Sequence, residues 1–142
     1  MTTSQLSLEA NYLALRAIGP WLHSLIGDRP ECGGIELAVH ELATNSVDHA
    51  QASDGMVLLE GWMDGESLVV EMRDRGIDFD QSSVVSPDPD VPQVRGYGLM
   101  ILEQLAEDVR YQHANDVNHW VVRFALTNDD EMTTHGMKEA GR

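Results

Sequence analysis

Three short segments carry residue types that can do chemistry together. His40-Glu41-Leu42-Ala43-Thr44-Asn45-Ser46-Val47-Asp48-His49 places Glu41, Asn45 and His49 at i, i+4 and i+8. At about 3.6 residues per turn each step of four rotates only about 40°, so the three project from one side of a helix. An amide oxygen there can ligate Mg²⁺, which takes oxygen donors and keeps several waters. A carboxylate one turn away can take a proton from an attacking hydroxyl. The same pattern also suits a solvated helix face. Asp74-Arg75-Gly76 reads as a carboxylate at the end of a strand, followed by a glycine that lets a planar ring approach the backbone. Asp74 can accept from an exocyclic amine, or simply belong to a turn. Arg95-Gly96-Tyr97-Gly98-Leu99 reads as a glycine-rich loop opening a helix. Free N–H groups at a helix start favour anions, phosphates above all, although a hinge would use the same glycines. Arg95 can reach a phosphate or lie in solvent. A zinc-protease reading of His40-Glu41 fails, because it needs a second histidine where Thr44 stands.

Elements of both periods surround these segments. Residues 5–8 suit a short edge strand. From Glu9 to Ile26 apolar residues recur at Leu13, Ala17, Trp21 and Leu25, the spacing of an amphipathic helix that Gly19-Pro20 would kink or split. A second helix is expected over Ile35–Ala50, with Ile35, Val39, Leu42 and Ser46 on its buried stripe. Met56–Met63 and Leu68–Arg73 read as a hairpin about Asp64-Gly65. A proline-containing loop over residues 80–94 precedes a third helix, Leu99–Ala106. Val109–Gln112 and Trp120–Leu126 are two further strands about an Asn115-Asp116 turn. This order predicts an α+β fold, a two-layer α/β sandwich with helices on one face of a mostly antiparallel sheet. The expected domain is 5–127, and residues 128–142 lack apolar periodicity and read as a flexible tail.

Composition narrows the function classes. The 142 residues include 9 basic and 24 acidic side chains, a formal charge of −15, which opposes binding to nucleic acid or to an anionic membrane surface. Such a charge suits a basic protein partner or a Mg²⁺-nucleotide, or serves solubility alone. Cys32 is the sole cysteine, so no intrachain disulfide is available, as suits a reducing compartment. The N-terminal residues lack a basic and an apolar region, no apolar run reaches membrane-spanning length, and a cytoplasmic location is expected.

In their order and spacing the three segments resemble the nucleotide site of the GHKL (Bergerat-fold) ATPases. The resemblance covers residues 5–126 and is greatest to the anti-sigma-factor serine kinases of bacterial partner-switching systems. Those are single small domains with Glu-x-x-x-Asn-x-x-x-His and a Gly-x-Gly-Leu run entering a helix, here Gly96 to Val109. The resemblance implies ATP and Mg²⁺ as cofactors. Glu41 would be the catalytic base and Asn45 the Mg²⁺ ligand. Asp74 and Gly76 would meet adenine, and Arg95, Gly96, Tyr97, Gly98 and Leu99 would lie along the phosphates. The partners implied are a small STAS-type antagonist, phosphorylated on serine or threonine, and a sigma factor or similar regulatory target, with the chain as a homodimer. Two rivals are a nucleotide-binding switch without phosphotransfer and a detached GHKL ATPase module. Asp78 departs from the family by standing where many members carry a second glycine, and the lid before Arg95 has no lysine.

Overall fold

A computed structural model describes residues 3–50, 55–76 and 94–127, apart from the side chains of 49–50 and 94–99. The expected tail, the expected lid up to residue 93 and Asp78 lie outside the described residues, as does the side chain of His49.

The first strand, β1, runs Thr3–Glu9 and pairs antiparallel with β2, Met56–Asp64, through Glu9↔Met56. Helix therefore does not begin at Glu9. Asn11 accepts the Ala14 N–H through its side-chain oxygen at 2.8 Å, which starts a 3₁₀ turn over Ala14–Ala17. The helix α1 follows over Ile18–Ile26. Leu13 falls in the turn before it and is 72% exposed, so the buried stripe is Leu15, Ile18, Trp21, Leu22 and Ile26 instead. Pro20 lies in the first turn of α1, where its missing N–H would have had no intrahelical partner, and the chain stays helical through it, passing from 3₁₀ to α winding between Ala17 and Ile18.

The second helix, α2, spans Cys32–Asn45, three residues earlier at its start than the pattern indicated. Gly33 and Gly34 are absorbed into its first turn. A Cβ on Gly34 would lie 3.2 Å from a methyl of Leu105, so the glycine permits close approach of α3, Val94–Leu105. The stripe Ile35, Val39, Leu42 and Ser46 is buried throughout.

Asp64 and Ser67 close the β2–β3 hairpin, with β3 spanning Ser67–Arg75. β4, Asp108–Ala114, and β5, Val117–Ala125, are joined by Asn115 and Asp116 at φ 54° and 61°. Two consecutive positive φ values define the type I′ turn, which Asn and Asp tolerate better than other side chains. The described strands make a five-stranded antiparallel sheet in the order β1-β2-β3-β5-β4.

Alternate residues of each strand enter the core. Leu59, Leu68, Val70, Met72, Trp120, Val122 and Phe124 pack with Leu15, Ile18, Leu22, Ile35, Val39, Leu42 and Leu102 from the helices. Each large side chain buried in this way contributes roughly 1.5–3 kcal/mol of apolar burial. Gly61 occupies an inward position because Trp21 lies over it; a Cβ would meet that ring at 3.1 Å. Trp21 is itself held by donating Nε1–H to the Ser4 hydroxyl at 3.0 Å. The inward row of β3 continues past Met72 to Asp74, so one carboxylate stands at the edge of the apolar layer.

Candidate functional site

The site begins where α2 loses its regular winding. The Thr44 hydroxyl donates to the His40 carbonyl at 2.9 Å, a back-bond that bends helices. Immediately after Asn45 the chain opens into a π turn over Ser46–Ala50. Asn45 and Ser46, three and four residues after Leu42, lie on the buried side of the helix just before this change of winding, at 2% and 3% exposure. Glu41, one turn earlier, is half-buried.

Asn45 is unusual for a buried amide. Neither its Oδ1 nor its Nδ2 has a hydrogen-bond partner among the described residues. Leaving a buried polar group unmatched costs about 1–3 kcal/mol, so this side chain suits a partner that is not part of the polypeptide described.

Asp74, 4% exposed, is held from two sides. The Ser46 hydroxyl donates to its Oδ2. Asn118, its neighbour across the β3–β5 ladder, donates Nδ2–H to its Oδ1 at 2.9 Å. Asn118 is fully buried, and its own Oδ1 accepts from the Tyr111 hydroxyl. Gly76 is fixed next door. Its N–H donates to the Asp116 carbonyl at 2.8 Å, and its carbonyl lies 3.1 Å from Nε2 of His113. The β4–β5 hairpin thus grips the end of β3 through two backbone groups and one side chain.

Arg95, Gly96, Tyr97, Gly98 and Leu99 fall inside α3, which begins at Val94, five residues ahead of the expected helix start at Leu99. Glycine bars no helical φ and ψ; it costs about 0.5–1 kcal/mol per residue there. The two glycines therefore belong to the first turns of the helix and not to a loop before it.

The structure ties Asp74 to Ser46, the residue after Asn45, and Glu41 precedes Asn45 by one turn on α2. Sequence reasoning placed Ser46 on the buried stripe without its partner, and missed Asn118 and Tyr111. One signal for Asn118 was available, since it shares the inward parity of Trp120, Val122 and Phe124 and is the polar member of that row. Among the described residues no three His, Cys, Asp or Glu side chains converge to hold a metal, and no helix is long and apolar enough to cross a membrane.

Comparison with known proteins agrees with this geometry. The family model for the histidine kinase-like ATPase domain matches residues 6–124. Serine-protein kinase RsbW of Listeria monocytogenes serotype 4a is 30% identical over 94 residues, taking in 59% of this chain and 60% of the relative. RsbW of Listeria innocua serovar 6a matches to the same extent. The chain thus spans about 60% of the length of these relatives. Among solved structures, the blue-light activated histidine kinase of Erythrobacter litoralis EL346 matches with a TM-score of 0.55 at 20% identity, over 83% of this chain and 42% of that one. Histidine kinase AdeS of Acinetobacter baumannii gives 0.51 at 10% identity, over 90% and 70%. These two share the fold. The sheet order, the helices over one face and a family match running from β1 into β5 converge on one assignment: the chain belongs to the histidine kinase-like ATPase family.

Proposed function

We propose that this chain is an ATP-dependent serine/threonine protein kinase that modifies a small STAS-type antagonist protein and, by partner switching in the cytoplasm, holds a sigma factor or similar regulatory target. The observation that carries the proposal is the buried Asn45 amide, without a partner among the described residues, next in the chain to Ser46, which holds Asp74. The name of the Listeria relatives, serine-protein kinase, supports the same direction.

The residues present fit a Mg²⁺-nucleotide. Asn45 offers one neutral oxygen. That suits a cation which takes its other ligands from phosphates and water, and needs no cluster of protein ligands. Asp74 offers an acceptor of fixed orientation for the exocyclic amine of adenine, and the buried Gly76 adds no side chain beside it. The N–H groups opening α3, around Arg95, Gly96, Tyr97, Gly98 and Leu99, suit phosphate oxygens. Bound ATP·Mg²⁺ supplies the phosphoryl group that is transferred.

Glu41 accepts the proton of the attacking serine or threonine hydroxyl. It lies one turn before Asn45, so the base and the metal ligand share one rigid helix. Phosphoryl transfer depends mainly on positioning and charge neutralisation, so few protein groups are required. A homodimer is part of the same proposal, drawn from the family resemblance.

The test mixes the purified chain, radiolabelled ATP and a candidate antagonist encoded beside it. Label on an antagonist serine or threonine is the expected result. ATP binding without any label would replace the kinase by a nucleotide-binding switch.

A further inference from the structure

We propose that Leu37 and Leu105 anchor the protein that receives the phosphoryl group. They select a serine or threonine that lies on a basic surface and has an apolar side chain about 6–10 Å from its hydroxyl. The proposal rests on the kinase reading with Glu41 as the base, and adds a recognition surface to it.

Helix geometry puts Leu37 next to Glu41. The two are one turn apart on α2, about 6 Å along the axis. Gly34 lies on the same side of the helix as Glu41, two turns earlier and about 10 Å away. The α3 helix reaches α2 at this point, since a Cβ on Gly34 would stand 3.2 Å from a methyl of Leu105. Leu105 therefore sits at the turn of α2 that carries Leu37. A leucine alone in solvent is ordinary. Here two leucines come from neighbouring helices, 46% and 42% exposed, within two turns of the proposed base. A protein whose hydroxyl reaches Glu41 lies over them, and covering them removes their remaining apolar area from water.

Charge limits what can cover this surface. Residues 10–50 and 100–107, which make the helix layer, carry seven carboxylates and two arginines. A second copy of the chain brings the same negative excess to this face and is repelled, whereas a basic surface is attracted. Charge brings that surface to the helices, and the apolar pair fixes where along them it stops.

The experiment follows phosphorylation of the antagonist encoded beside the chain, using the full chain, ATP·Mg²⁺ and a range of antagonist concentrations. Leu37→Ser and Leu105→Ser should each raise the KM for the antagonist by about five- to tenfold, the scale of covering half a leucine. The kcat, ATP affinity and melting temperature should stay near wild type. Leu58→Ser is the control. Leu58 is 47% exposed on the other face of the sheet, and its variant should match wild type throughout. The wild-type KM should rise with added salt, which screens attraction between charged surfaces. A KM unchanged in both leucine variants would overturn the proposal and leave the kinase standing. So would a change confined to ATP affinity or kcat, since the leucines would then only shape the nucleotide site. A KM indifferent to salt would overturn the basic surface. Should Leu105→Ser fail to fold, Leu37→Ser decides alone. No labelling of the antagonist by the wild-type chain would remove the kinase reading, and this one with it.

Discussion

The Ser46 hydroxyl donates to Oδ2 of Asp74, across 28 residues of sequence, and so ties the turn after α2 to the end of β3. The first expected outcome follows from this pairing. Asp74→Asn replaces an acceptor oxygen by a donor in a place already supplied with donors. ATP affinity should fall by about 1–3 kcal/mol, the cost of a lost charge-assisted hydrogen bond. Calorimetry showing unchanged affinity would take Asp74 out of the site.

Asn45 should act through the ion. Asn45→Ala is expected to weaken ATP binding in Mg²⁺ more than binding measured in EDTA. The substitution also removes a buried amide that has no partner among the described residues, so the melting temperature of the free protein should hold or rise. Equal losses in both buffers would show that Asn45 is not a Mg²⁺ ligand.

Glu41→Ala should lower the rate of antagonist phosphorylation by about 10²–10⁴-fold, the usual contribution of a general base. ATP affinity should stay within a few-fold, and antagonist binding should survive. A variant that phosphorylates at the wild-type rate would show that the proton goes elsewhere.

The end of β5 is fastened to the segment between α1 and α2. Thr127 donates its N–H to Glu31 at 2.7 Å, and its carbonyl accepts from Arg29. Leu126 is buried in the core. A chain ending at Asn128 keeps all of these contacts and should melt within a degree or two of the full chain. One ending at Ala125 should melt markedly lower. Similar melting temperatures for the two would show that the Glu31–Thr127 fastening contributes little.

What the sequence made legible was periodicity and local spacing. Asp64-Gly65 and Asn115-Asp116 announce hairpins because turn chemistry is local. The Ile35–Ser46 stripe announces a buried helix face because its period is regular. The Glu9–Ile26 helix was over-extended for a physical reason. Seven residue pairs between β1 and β2 hold Thr3–Glu9 extended, and a pairing about fifty residues away leaves no mark on helical spacing. At the site, Glu41 and Asn45 were visible because one turn separates them. The Asp74–Asn118 contact joins residues 44 apart, and no local pattern encodes it. The start of α3 was missed because Gly96 and Gly98 read as breakers, whereas at a helix entrance their cost is small.

The π turn over Ser46–Ala50 has a consequence for how the chain tolerates change in length. Such a turn holds one residue more than the α winding it interrupts. Deleting one residue after Ser46 would restore regular winding and leave the chain downstream on the same side of α2, whereas inserting one more would turn it by about 100°. A one-residue deletion between Val47 and Ala50 should therefore be tolerated better than a one-residue insertion, even though none of the five residues is glycine or proline.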